Sequence, residues 1–376
     1  MNETQSSTTS GRRAALLGDL RIVLIPWLVA RGLVTLAYVA ALAIADRVTP
    51  GHRPTALTDG LMAWDGTWYR DIAQHGYGSL PAEGLRFFPL YPLLGRLSDL
   101  LMPTTLALVL VANLCSLALL VVFLRLLRRE RLDRATIDRS LWYLVLFPGA
   151  FVLVWAYAEA LFLLAALVVF LAIRTRRWWW AAAAGFLAGL ARPLGVFLAV
   201  PVAIELVRGW RGIDRAERLR GLVAVIAPVA GSGSYLLWVG TRFGDLWAPF
   251  TVQSDLRGET VDPVSRLWEG LSQLLGPDRL GDGLHVPFAI AFVVLLIVSF
   301  RRLPVSYGAF ALCVLVASLA AENLNSLERY GLNAFPLVIA LAVVGRDGRV
   351  AEVLRTLLAG GMVALATMAW MGAYVP

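Results

Sequence analysis

The acid with most chemical promise is Asp65, in the stretch TDGLMAWDGTWYRDIAQHG over 58–76. This segment reads as a helix lying in or on a membrane interface, with Thr58 or Asp59 as N-cap and Gly76 as its stop. On a helical wheel Leu61, Asp65, Trp68, Tyr69 and Ile72 share one face, and Arg70 lies opposite. A carboxyl held among Trp and Leu is desolvated and tends to titrate high, which suits a general base or a charge-stabilising carboxylate. An acid paired with a nearby Arg, doing no more than holding the loop, fits the same residues equally well.

Further ionisable residues fall at the ends of apolar runs: Glu159 in AYAEALF, Arg192 in LARPLG, and Glu322, Glu328 and Arg329 in AENLNSLERYGLNAFP. Singly, each is the ordinary case of a charge that pairs with a neighbour or snorkels to the headgroups. Gathered on one side of a membrane with Asp65 above them, they outline a polar cavity. Arg31 differs, because it lies near the middle of the first apolar run, where a guanidinium calls for a carboxylate or carbonyl partner. It reads as structural, paired with an acid elsewhere in the bundle.

These residues need a membrane scaffold to hold them. Of 376 residues 59% are hydrophobic and only 16% charged, with a mean hydropathy of +0.70, a balance that leaves too little charge to cover a soluble surface. All 34 basic residues other than His are Arg, which points to a GC-rich, bacterial coding sequence rather than to a mechanism. Eleven apolar runs are expected to span about 30 Å of hydrocarbon, near 22–45, 104–124, 140–156, 159–173, 178–191, 193–207, 221–240, 284–300, 305–320, 331–345 and 355–374. Most of the arginines then fall in short connections on one side, which places the N-terminus in the cytoplasm and the C-terminus outside. The first run is too long for a signal-peptide core and reads as an uncleaved span. Cys115 and Cys313 lie singly in apolar runs and read as buried packing thiols.

The expected architecture is therefore all-α and polytopic: a polar segment, 1–21, followed by one membrane domain, 22–376, with long outer connections at 46–103 and 241–283. In the first of these, RFFPLYP (86–92) carries Pro89 and Pro92, which prohibit a regular helix across it. Phe87, Phe88, Leu90 and Tyr91 are too apolar to stay in water, so the segment should tuck against the membrane domain as a rigid wedge. In the second, Asp262 and Pro263 supply an N-cap and first position for an interfacial helix with Val264, Leu267, Trp268, Leu271, Leu274 and Leu275 on one face. RTRRWWW at 174–180 reads as an inner basic loop with an aromatic belt.

WDGTWYRDIAQHGY followed by RFFPLYPLL resembles the PIG-V family, the GPI mannosyltransferase 2 family with its bacterial relatives. The likeness continues through FPGAFVLVWAYAEALFL, AGLARPLGVFL and ERYGLNAFPL, so it covers most of the chain, and its order is more specific than any one piece. What the resemblance implies is a GT-C fold of the plasma membrane that uses a polyprenyl-phosphate-linked sugar. Mannose would pass to the hydroxyl of a lipid or glycan acceptor at the outer face, with inversion. It implies a catalytic acid in the first outer loop, and the matching position is Asp65. Arg192 and Arg329 are the candidates for the donor phosphate, since Arg binds phosphate through paired hydrogen bonds. His75, Tyr77, Phe87, Phe88, Tyr91 and Glu159 are the candidate lining of the substrate pocket. No nucleotide sugar is expected. Asp65 and Asp71 do not form a D-x-D metal pair, although a divalent cation bridging donor phosphate and carboxylate is compatible with the chemistry. The competing reading from another class is a secondary transporter or lipid flippase, which inverted repeats would favour and which no matched pair of broken segments supports.

Overall fold

A computed structural model describes residues 3–48, 50–99, 101–258, 261–274 and 282–376. Among them the chain is all-helical, with no strand. A long first helix, α1 (Glu3–Val48), is followed by three short ones in the first long connection: α2 (Thr55–Asp59), α3 (Asp65–His75) and α4 (Leu90–Ser98). Next come α5 (Thr104–Arg129), α6 (Arg134–Leu146), α7 (Glu159–Arg174), α8 (Trp178–Ala191), α9 (Ala199–Gly209) and α10 (Arg215–Phe243). The second long connection holds α11 (Ala248–Arg257) and α12 (Pro263–Leu274). The chain closes with α13 (Val286–Arg302), α14 (Val305–Leu319), α15 (Leu327–Asn333), α16 (Pro336–Val344) and α17 (Gly348–Trp370).

Six helices among the described residues are long and apolar enough to cross a membrane, as expected of a multi-pass membrane protein. A seventh span results if α15 and α16, bent by 86° at their junction, count as one. Three other apolar runs of the sequence are helices too, but shorter, α8, α14 and the 16-residue α7, whereas the run expected over 140–156 is not a single helix: α6 ends at Leu146 and a 3-10 turn follows. Most of α7 is buried, so its neighbours, not lipid, surround it.

α8 and α10 pack backbone to backbone. A Cβ on Gly189 would lie 2.2 Å from the Pro228 carbonyl oxygen, and the Ser232 hydroxyl donates to the Gly189 carbonyl at 3.1 Å. Small residues permit this close approach, which supplies much of the packing between helices in a bilayer. Gly189→Ala is expected to lower stability by about 1–3 kcal/mol through overpacking, measured as the unfolding midpoint in detergent. An unchanged midpoint would mean that the two helices separate freely.

Among the described residues Arg31 has no acid partner, contrary to the sequence expectation. Its guanidinium donates to Asn113 Oδ1 (3.0 Å), to the carbonyls of Trp27 (3.1 Å) and Leu153 (3.3 Å) and to the Ser116 hydroxyl, and it lies 3.9 Å over the Trp27 ring. Asn113 in turn donates to the Val154 carbonyl at 2.9 Å. The chain between α6 and α7 is a 3-10 turn and an irregular stretch, and its freed carbonyls are what these side chains satisfy. Arg31 is thus structural, as expected, but it works by fixing an unwound segment.

At the far end of the bundle the charges form closed clusters. Arg174 pairs with Glu130 at 2.6 Å and with Glu205 at 2.8 Å, and Asp19 takes Arg125 and Arg128. Cys115 and Cys313 are free and half-buried, less enclosed than expected. α12 forms where Asp262 caps it, its carboxylate accepting from the Ser265 N–H at 2.8 Å; Leu275 lies outside the described residues. The apolar residues Val264, Trp268 and Leu271 of α12 are exposed, as an interfacial helix requires.

Candidate active site

The helix expected over 58–76 is broken. α2 ends at Asp59, Gly60 has φ +60, and after a single 3-10 turn Trp64 takes φ +59, so that α3 begins only at Asp65. A positive φ at Trp is strained, by about 1–3 kcal/mol, and persists where surrounding contacts over-determine it. Here they do. The Trp64 indole N–H donates to the Ala369 carbonyl (2.9 Å), the Trp370 indole to Gly60 (2.9 Å), and the Ala156 N–H to Leu61 (2.9 Å). Gly76 is the stop, as the sequence indicated.

Asp65 therefore sits in the first turn of α3, where exposed N–H groups and the helix dipole favour a carboxylate. It is not isolated among rings, as the wheel pictured it. Its backbone N–H donates to the Tyr157 hydroxyl at 3.3 Å, and Arg329 Nη1 donates to its Oδ2 at 2.5 Å. Arg329 spends its other nitrogens as well: Nη2 on the Ser326 hydroxyl at 3.3 Å and Nε 3.4 Å from Glu159 Oε1. Its guanidinium stands 5.5 Å from the centre of the Tyr157 ring. Arg192 Nη1 meets the same Glu159 oxygen. The result is an alternating row, Asp65–Arg329–Glu159–Arg192, carried by α3, α15, α7 and the residue that ends α8. Glu159 is completely buried, whereas the Asp65 side chain keeps 18% exposure.

That exposure opens into a cavity of about 630 Å³. Asp65, Arg192 and Arg329 all line it, with Phe87 and Phe88 on the wall, and α11 contributes Phe250 and Gln253. Phe87 stacks on Trp68 at 5.7 Å and meets Tyr69 edge-on at 5.1 Å, while Phe88 packs against Tyr235 at 4.8 Å. RFFPLYP is thus the wedge that its composition suggested, with one correction. A helix, α4, begins at Leu90, because Pro92 falls within its first turn, where a missing N–H costs nothing.

The other candidates do not face the cavity. Tyr77 donates its hydroxyl to the Phe87 carbonyl at 2.6 Å and Tyr91 donates to Leu108 at 2.7 Å, so both brace the wall from behind. His75 is exposed at the far end of α3, away from the lining. Glu159 acts through the two arginines. Glu328, grouped by sequence with the cavity charges, contacts the His285 ring nitrogen Nδ1 at 3.0 Å and accepts from Tyr374 at 2.8 Å. Burial, then the Glu328 carboxylate, holds the Tyr374 phenol well above its ordinary range, so it stays a donor.

Sequence reasoning passed over Tyr157, which lies in AYAEALF two residues before Glu159, and Arg86, whose guanidinium also lines the cavity. Tyr69 lines it too, its phenol raised by burial to about 12. Among the described residues no three His, Cys, Asp or Glu side chains stand close enough to hold a metal ion, and Oδ2 of Asp65 is already committed to Arg329. The described residues thus make no cation site of protein ligands alone, and the chemistry below uses none. What the arrangement can do is hold an anionic ligand against guanidiniums and present one carboxylate to a reacting atom, between aromatic walls suited to a sugar or an isoprenoid chain. The chain matches no family model and no curated protein.

Proposed function

We propose that the protein is an inverting glycosyltransferase of the GT-C type that takes mannose from a polyprenyl-phosphate donor at the outer face of a bacterial plasma membrane. The observation that carries this reading is the placement of Asp65, on an acid–base row, at the wall of a cavity that Arg192 and Arg329 also line. Asp65 accepts the proton of an acceptor hydroxyl as that oxygen bonds to the sugar C1. The bond from C1 to the phosphate oxygen breaks, and its electron pair leaves on the lipid phosphate. A single carboxylate suffices, because phosphate leaves without a strong general acid. Arg329 holds Asp65 in place, and both arginines lend positive charge to the wall where negative charge builds on the leaving group. On this reading the shorter apolar helices α7, α8 and α14 and the run over 140–156 cross the membrane beside the six or seven long spans, giving a GT-C bundle of eleven segments. The acceptor is a lipid or glycan hydroxyl.

The test is incubation of purified protein and a lipid extract with labelled polyprenyl-phosphate mannose. Formation of a glycosylated product, lost in Asp65→Asn, is the expected result. Donor recovered intact, together with movement of the lipid across a vesicle membrane, would replace this reading with the flippase.

A further inference from the structure

The row that contains Asp65 is closed on itself. Arg329 gives Nη1 to Asp65 and Nη2 to Ser326, with Nε 3.4 Å from Glu159 but making no hydrogen bond, and Arg192, nine-tenths buried, gives Nη1 to Glu159 and leaves its Nε unpartnered. Each is thus anchored to a protein carboxylate. Arg86 is different. It ends the 3-10 turn Ala82–Arg86 and lines the same cavity, and among the described residues it has no hydrogen bond and no ion pair. Its Nε is buried, and its guanidinium is steadied by the face of Phe87 at 4.7 Å. A partnerless buried guanidinium nitrogen costs free energy unless a ligand satisfies it.

Tyr69 offers a second unused group beside it. Its ring is clamped edge-on by Phe87 at 5.1 Å and by Tyr91 at 4.9 Å, and its hydroxyl makes no hydrogen bond among the described residues. Arg86, Arg192 and Arg329 line the same cavity as that phenol, with Asp65 among them. A phosphate oxyanion fits it: the Arg fork takes two oxygens and the phenol donates to one, while the rings of Trp68 and Phe87 give an isoprenoid tail an apolar wall.

We propose that Arg86 and the Tyr69 hydroxyl form the subsite that binds the phosphate of a lipid-phosphate ligand, with Arg192 and Arg329 serving the acids instead. The choice of a lipid rests on the glycosyltransferase reading; the anion subsite does not.

The test uses the full chain in detergent micelles. Quenching of the cavity tryptophans Trp64 and Trp68 is followed while farnesyl phosphate, farnesol or inorganic phosphate is titrated in. Wild type is expected to bind farnesyl phosphate at least about 10-fold more tightly than farnesol. Arg86→Gln should bring farnesyl phosphate down to the farnesol value and leave farnesol unchanged, which also reports an intact fold. Arg86→Lys should retain part of the difference, and Tyr69→Phe should lose a few-fold. If Arg86→Gln disturbs farnesol binding, the Lys and Phe variants decide, and full affinity in both overturns the proposal. Wild-type affinity for farnesyl phosphate in Arg86→Gln overturns it directly. So does equal binding of farnesol and its phosphate. Inorganic phosphate binding as tightly as farnesyl phosphate overturns the lipid ligand. Sugar transfer by wild type with unimpaired binding in Arg86→Gln sinks this inference alone; Arg86-dependent binding with no sugar transfer sinks only the transfer reading.

Discussion

Asp65→Asn should reduce glycosyl transfer by about 10³-fold or more while leaving the protein folded, because it removes both the proton acceptor and the negative charge at the reacting centre. The substitution is nearly isosteric, and the amide oxygen can still accept from Arg329, which stands 2.5 Å from Oδ2. Arg329 also keeps its 3.4 Å approach to Glu159, so its charge is not left without a counter-ion. The backbone N–H bond to Tyr157 is untouched by the change. Unfolding of the variant should therefore stay close to wild type, and donor binding should survive. The measurement is initial rate of product formation beside a detergent melting curve. Full activity in the folded variant would remove Asp65 from the mechanism and leave its pairing with Arg329 as its whole role.

Glu159→Ala should act in the opposite way, on the fold before the chemistry. Its carboxylate is wholly buried, and one oxygen serves both Arg192 and Arg329. Removing it leaves Arg192 without an acid and Arg329 with Asp65 alone in a low-dielectric interior, a loss of about 3–5 kcal/mol in comparable buried pairs, which is a large part of the roughly 5–15 kcal/mol that holds a domain together. Glu159→Gln keeps an acceptor in place and should cost less. A double variant, Glu159→Ala with Arg192→Leu, should recover part of the loss, since one orphaned charge goes with its partner. The unfolding midpoint decides. A Glu159→Ala protein as stable as wild type would mean that water or lipid, rather than this acid, neutralises the arginines.

Much of this could be read in the sequence, for physical reasons that differ by element. Apolar runs locate helices because hydrocarbon forces the backbone to satisfy itself, and the runs named from the sequence match helices such as α5, α10 and α17. How many cross a membrane was less legible, since length and composition qualify six or seven, and a short helix such as α7 is covered by its neighbours. Asp65, Arg192 and Arg329 are far apart in the chain yet line one cavity, and their position at the ends of apolar runs was the signal. The order of contacts was not readable. A helical wheel assumes an unbroken helix, and nothing local marks Trp64 as a residue that breaks one; its φ is imposed by bonds to residues more than 300 positions away. Arg86 went unremarked because an arginine beside two phenylalanines looks like packing until its lack of partners is seen in three dimensions.

That long-range clasp also bears on how the protein is made. The indoles of Trp64 and Trp370 are exchanged between the segment before α3 and the end of α17, across separations of 305 and 310 residues. A chain emerging from the ribosome at about 5–20 residues per second inserts its early helices tens of seconds before α17 exists, and until then two of the three bonds that hold Trp64 in its costly conformation are missing. The acid is written near the start of the message, but it can be aimed only when a helix translated far later has been threaded into place. Partly synthesised or truncated chains that lack α17 would thus carry every residue of the Asp65 row without the two indole bonds that help to aim it.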